Sequence, residues 1–244
     1  MSGCYSRIYL LSHMRGYTSL AGHILGSHPR INGYYEMHIS YENSTDLDRQ
    51  LDAYRQTESL KANSRYLFDK LLHNAYRLDT DRLGPVDIRL LVSLREPEPT
   101  IASIVDLFAR KASDEPYASP GEAAGYYIDR LEWIAGFCQS CSAPYNYYDA
   151  ELFRTAPERL LGRLSEWLKL DPPLSGDYER FSQTGKARKG DSSERIHSGR
   201  IGRAASDYSH IHIPGDALRR AQDAYRDCRQ SMIEHALDTA TLQP

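Results

Sequence analysis

The chain has 244 residues, of which 41% are hydrophobic and 26% charged, with a formal net charge of −3 at pH 7. A single domain over 1–244 is the expectation, since one α/β domain of this length buries a sizeable core. A slightly acidic chain excludes a nucleic-acid binder that works by broad phosphate neutralisation, because such domains carry a basic excess on one face, and no apolar run is long enough to span a bilayer.

The elements follow in chain order. Arg7 to Leu11 reads as a buried strand. It runs at once into SHMRGYTSLAGHILGSHP, where Leu20, Ile24 and Leu25 stand at helical spacing over Thr18 to Ser27 before His28-Pro29 stops the helix. Ile31 to His38 reads as a second short strand with Gly33 at its head, and Asp46 to Leu60 as a polar surface helix. Tyr66-Leu67-Phe68 is a third buried strand ending at Asp69-Lys70, and Val86 to Leu94 the strongest strand, ending in Arg95-Glu96-Pro97.

After that proline a helix places Ile101, Ile104, Val105 and Phe108 on one face. Capping boxes at Ser119 with Glu122 and at Thr155 with Glu158 predict two more helix starts, the first leading Tyr127, Ile128, Leu131 and Ile134, the second Leu160, Leu161, Leu164 and Trp167. Tyr145 to Tyr148 reads as the last strand. Residues 182–209 are polar and glycine-containing and hold six of the cations, the composition of a functional or disordered loop. A final helix over 216–236 aligns Leu218, Ala221, Tyr225, Cys228 and Met232. Strands alternating with helices predict an α/β fold with a mostly parallel central sheet flanked by helices.

The four cysteines include one C-x-x-C, Cys138 and Cys141. Tetrahedral zinc takes four ligands and no second pair stands at a suitable spacing, so the pair reads as a helix residue followed by a turn residue, and no metal is expected. The first residues run directly into an apolar strand and leave no room for a cleavable leader, which makes a cytoplasmic location the expectation.

A strand, a tight turn and a helix gather unpaired backbone N–H groups and the positive end of the helix dipole at one point, an arrangement that grips phosphate. Arg15 precedes the helix, and the hydroxyls of Thr18 and Ser19 lie in its first turn. The plain alternative is an ordinary helix start with Thr18 as N-cap and Arg15 in solvent. A Walker A pattern, G-x-x-x-x-G-K-S/T, is absent, and no strand ends in an aspartate suited to magnesium, which disfavours a kinase or an ATPase.

Arg15-Gly16-Tyr17-Thr18-Ser19-Leu20 with the following Leu25-Gly26-Ser27-His28-Pro29 resembles the 5′-phosphosulfate loop of sulfotransferases that use 3′-phosphoadenosine-5′-phosphosulfate (PAPS). Their second hallmark is an arginine ending a buried strand with a serine eight residues later; LVSLREPEPTIAS supplies Arg95 and Ser103. DKLLHN, Asp69 to Asn74, is similar to their third-strand segment, YYDAELFRTAPERLLGRLSEWLKL to a stretch that is mainly architectural, and KARKGD, Lys186 to Asp191, to the segment that folds over the 3′-phosphate. Gly16-Tyr17 departs from the usual Ser-Gly; tyrosine tolerates positive φ poorly, so either the turn shifts by a residue or Tyr17 walls the site.

The resemblance, which points to the bacterial and carbohydrate-acting branch, implies a P-loop nucleotide-kinase-like sulfotransferase fold, PAPS as co-substrate and no metal. It places Arg15 and Lys70 beside the bridging oxygen and the sulfuryl group. Arg15, Gly16, Tyr17, Thr18 and Ser19 would hold the 5′-phosphate, and Arg95, Ser103, Arg188, Lys189 and Gly190 the 3′-phosphate. Glu36 is the first candidate for the base, with His38 and His73 in reserve. The acceptor is a hydroxyl or amine of a small molecule, saccharide or lipid; neither a nucleic-acid partner nor an integral membrane segment is expected, and a homo-oligomer stays open. A non-catalytic module that binds the desulfonated nucleotide (PAP) is the rival reading, and a metal-dependent kinase a more distant one.

Overall fold

Runs such as Ile8-Tyr9-Leu10-Leu11, apolar at consecutive positions, can be buried only between two covering layers. The structure, a computed structural model, describes residues 5–111, 115–186, 194–202, 204 and 206–242. Its six strands are β1 (Ser6–Leu11), β2 (Ile31–Asn32), β3 (Tyr66–Leu71), β4 (Ile88–Leu94), β5 (Tyr145–Asp149) and β6 (Asp238–Ala240). They form one sheet in the order β2-β3-β1-β4-β5-β6, parallel throughout.

The helices are α1 (Thr18–Ser27), α2 (Ser44–Arg55), α3 (Pro97–Ala109), α4 (Pro120–Ser140), the single turn α5 (Leu152–Thr155), α6 (Pro157–Leu168) and α7 (Gly215–His235). Alternation along β1 divides the core. Ile8 and Leu10 pack with Ile24 and Leu25 of α1 and Leu160 and Leu164 of α6. Tyr9 and Leu11 pack on the other side with Leu51 of α2, Ile104 of α3, Leu131 of α4 and Met232 of α7. Each such fully buried side chain contributes about 1.5–3 kcal/mol relative to exposure.

The chain runs from β1 outward to β2 and β3 on one side, then crosses to β4, β5 and β6 on the other. The connections therefore part between β1 and β4, and a crevice opens at the carboxyl ends of those two strands, the usual ligand site of an open parallel sheet.

Several expectations are corrected. The second strand stops at Asn32 because Gly33 turns out of the sheet at φ 99°, with its backbone so close to Phe68 that a Cβ would lie 2.3 Å from the Phe68 carbonyl oxygen. Glu36 and His38 consequently sit on an irregular segment that follows β2, not within the strand. The polar helix ends at Arg55 and begins at an Asn43 capping box with Asp46. Ser119 is the N-cap of α4 but makes no side-chain cap bond. Thr155 caps nothing: it closes α5, its hydroxyl donates to the Glu151 carbonyl at 3.1 Å, and Ala156 precedes Pro157 at the start of α6. Tyr145 to Asp149 is not the last strand, since β6 pairs beside it along the sheet edge.

Cys138 is buried in α4 and Cys141 follows as its C-cap; both are free, and burial pushes both thiols up. Within 182–209, a short 3-10 helix spans Glu194–Ser198. Arg188, Lys189 and Gly190 lie outside the described residues. Among the described residues, no helix is long and apolar enough to cross a membrane.

Candidate functional site

The turn after β1 alternates its handedness. Arg15 has φ 62° and Tyr17 φ 56°, with Gly16 between them outside the positive region. Alternation of this kind turns successive N–H groups toward one concavity. Gly16 is required by crowding, not by its dihedral: a Cβ there would lie 2.9 Å from Ser12 Oγ and 3.2 Å from the His13 carbonyl oxygen.

The turn is not shifted to spare the tyrosine. Tyr17 itself takes the left-handed conformation as the N-cap of α1, at a cost of about 1–3 kcal/mol, and no side chain caps the helix, so Thr18 does not claim its first-turn N–H groups. Two contacts hold Tyr17 there: the Arg95 guanidinium lies 4.4 Å from its ring centroid, and Arg154 Nη1 donates to its hydroxyl at 3.3 Å.

The two motifs meet directly. Arg95 Nη1 donates to the Arg15 carbonyl oxygen at 2.9 Å, and Arg15 Nε donates to Ser103 Oγ at 2.8 Å. Arg15 thus reaches toward α3, while Lys70, only 1% exposed, donates from Nζ to Ser19 Oγ at 3.2 Å. Arg95 Nε is buried with no hydrogen-bond partner, an unspent donor in a crevice already rich in cationic nitrogen.

Two contributors were not legible in the sequence. His13 lies at the crossing: its Nδ1 is 2.9 Å from the Met14 carbonyl oxygen, which can only accept, so Nδ1 carries the proton and Nε2 accepts from the Arg95 backbone N–H at 3.0 Å. Burial drives its pKa down to about 3, which keeps the ring neutral for that role. Tyr208, from the far end of the loop region, donates to Ser103 Oγ at 2.8 Å. Neither position carries a local pattern, because each acts across elements distant in sequence.

The base candidates lie beyond β3. Asp69 organises their segment by accepting from the Met37 and Lys70 backbone N–H groups at 3.0 and 2.8 Å and from the Tyr41 hydroxyl. Burial raises the Asp69 pKa to about 7 against these bonds. Glu36 is 7% exposed; burial pushes its carboxyl above the ordinary range, opposed by the Lys70 charge and the Leu72 N–H.

Glu36 Oε2 lies 3.7 Å from His38 Nε2, and Oε1 is buried without a hydrogen-bond partner. The structure therefore brings Glu36 and His38 together. His73 packs against Tyr126 instead, and burial, followed by the Arg130 charge, lowers its pKa to about 4. Among the described residues, no group of three or more His, Cys, Asp or Glu side chains is placed to hold a metal ion.

No family model matches the chain, and no curated protein matches it in sequence. Its structure is similar to the sulfotransferase domain from the curacin biosynthetic pathway, with a TM-score of 0.62, 15% identity and coverage of 93% of this chain and 99% of that one. It is similar also to the sulfotransferase domain from the Synechococcus PCC 7002 olefin synthase, with a TM-score of 0.56, 17% identity and coverage of 90% and 94%. The chain has the α/β fold of sulfotransferase domains.

Proposed function

We propose that the chain transfers a sulfuryl group from PAPS to a hydroxyl or amine of a small-molecule, saccharide or lipid acceptor. The observation that carries this reading is the contact chain from Arg95 through the Arg15 carbonyl and side chain to Ser103, which gathers two guanidinium groups and a hydroxyl at the crevice between β1 and β4. Sulfotransferase domains as structural neighbours support it.

The residues fit a doubly phosphorylated nucleotide. Arg15, Ser19, Lys70, Arg95 and Ser103 all carry donors, and the buried Arg95 Nε lacks an acceptor. Arginine suits phosphate because its planar fork matches the oxygens and stays charged. Arg15 and the N–H groups and hydroxyls of Gly16, Tyr17, Thr18 and Ser19 hold the 5′-phosphate. Arg95 and Ser103 hold the 3′-phosphate, joined on the sequence resemblance by Arg188, Lys189 and Gly190.

PAPS, when bound, supplies the sulfuryl group and leaves as PAP. The protein's part is in-line positioning and compensation of charge. Lys70, at Ser19, and Arg15 offset the charge that develops on the leaving oxygen. Glu36 takes the acceptor proton: burial raises its pKa and so its basicity above that of a solvated carboxylate, while the Lys70 charge favours the ionised form. His38, 3.7 Å from Glu36, stands ready to share that proton.

Thermal unfolding with PAPS, PAP and ATP, each with and without magnesium, tests the reading. PAPS and PAP are expected to stabilise the chain without magnesium; stabilisation by ATP with magnesium alone would overturn it. The rival PAP-binding module is met by adding labelled PAPS, which only an enzyme turns over.

A further inference from the structure

Arg130, in the middle of α4, is fully buried at 0% exposure. Its partners are all neutral. Nε donates to the Ser12 carbonyl oxygen at 2.8 Å, Nη1 to Asn74 Oδ1 at 2.9 Å and Nη2 to the Leu71 carbonyl oxygen, while the guanidinium carbon lies 4.5 Å from the Trp133 ring centroid. Ser12 is the first residue beyond β1 and Leu71 the last of β3. One side chain therefore ties the carboxyl ends of the two strands that lead to Arg15 and carry Lys70.

Tyr126, one turn earlier on the same helix face, makes the same kind of bridge. Its hydroxyl accepts from the Met14 backbone N–H at 2.8 Å and donates to the Leu72 carbonyl oxygen at 2.7 Å. The two side chains engage Ser12 and Met14 on one strand exit and Leu71 and Leu72 on the other, so both spacing and register between the exits are set from α4.

A buried cation hydrogen-bonded only to neutral groups is costly even with the Glu36 charge acting on it, and an apolar residue of like volume would commonly serve stability as well. Packing alone does not account for an arginine here. Geometry does, since only a guanidinium offers donors spread widely enough to reach two carbonyls and an amide at once. Its charge also acts on Glu36, around which Lys70 and Asp69 of β3, His38 and Tyr126 are further ionisable groups, with His73 beside His38 and Arg130. Burial lowers the Arg130 pKa to about 10, which leaves it protonated at neutral pH.

We propose that Arg130 and Tyr126 form a positioning clamp that holds the turn bearing Arg15 and the strand end bearing Lys70 at the spacing sulfuryl transfer needs. The clamp touches no reacting atom and rests on the sulfotransferase reading for its purpose, though not for its existence.

The test uses the full chain and the variants Arg130→Met, Arg130→Lys and Tyr126→Phe. Amide hydrogen exchange is followed over residues 12–17 and 70–74, PAP binding by calorimetry, and release of labelled sulfate from PAPS to water for kcat and KM. The clamp predicts exchange faster in those two segments than in β4 and β5 for every folded variant. It predicts kcat down by about 100-fold in Arg130→Met, as expected for a misplaced reacting group, with KM and PAP affinity within about threefold, and no rescue by lysine, whose single ammonium cannot span the acceptors.

Tyr126→Phe removes one hydroxyl only and carries the test if the arginine variants fail to fold. Folded variants whose exchange in 12–17 and 70–74 matches the parent overturn the clamp. A parent that binds no PAP overturns the functional reading instead, and the exchange result still decides the clamp.

Discussion

Arg15 Nε donates to Ser103 Oγ at 2.8 Å, joining the first turn after β1 to the second turn of α3 across 88 positions of sequence. Ser103 accepts there also from Tyr208, so one hydroxyl collects two donors and joins three parts of the chain. Ser103→Ala removes that hub. We expect PAP affinity to fall about tenfold, the value of one charge-assisted hydrogen bond, and stability to fall by about 1–2 kcal/mol through the stranded Arg15 and Tyr208 donors; calorimetry and unfolding measured side by side check it.

Glu36→Gln keeps the shape of the side chain and removes its basicity. Turnover of PAPS is expected to fall by about 100-fold or more, the usual contribution of a general base, while PAP affinity stays within about threefold. Comparable losses of both in a nucleotide titration and a labelled-sulfate assay would assign Glu36 to folding of its segment instead.

What the sequence disclosed and what it hid follow from the range of the forces involved. β1 and α1 were legible to within a residue, because an apolar run and a helical stripe are local signals. Arg95 and Ser103 were singled out by the resemblance of their spacing to a family hallmark, and the structure brings both against Arg15. The left-handed Tyr17 was not, since the contacts that hold it come from Arg95 and Arg154. Residues 33 to 38 read as strand by composition, but Gly33 and the close approach of α1 override it: a Cβ on Gly22 would lie 2.1 Å from the Tyr34 carbonyl oxygen. β6 is three residues on a sheet edge, too short for any pattern. His13, Arg130 and Tyr208 act only across elements, and no local rule reaches them.

His13 ties acid stability to the site. Its ordinary pKa of 6.5 falls to about 3 on folding, so the unfolded chain binds the proton more readily than the folded one. Its contribution is fully present above pH 6.5 and is lost as pH falls toward 3; at pH 5 the loss is roughly 2 kcal/mol. His13→Gln, which retains an acceptor and does not titrate, is expected to flatten that part of the profile, as urea unfolding at pH 7.5, 6 and 5 would record. An unchanged slope would contradict the buried neutral assignment.

Asp149 supplies a control away from the transfer region. It is fully buried, accepts from Arg229 Nε and Nη2 at 2.8 and 2.7 Å, and accepts also from the Tyr147 hydroxyl and the Leu242 N–H. Asp149→Ala strands these donors and is expected to cost roughly 3–5 kcal/mol by urea unfolding. The variant that remains folded should bind PAP like the parent, because the hydrogen bonds of Asp149 go to Arg229, Tyr147 and Leu242 and not to Arg15, Arg95 or Ser103.

The central claim is that one crevice reads both phosphates of a bisphosphorylated adenosine. Calorimetry of PAP against 5′-AMP, without magnesium, for the parent and for Arg95→Ala tests it most directly. The account predicts that the parent prefers PAP by about 100-fold or more, the worth of two charge-assisted bonds, and that the preference collapses in Arg95→Ala. Equal affinity for the two nucleotides in the parent would contradict it.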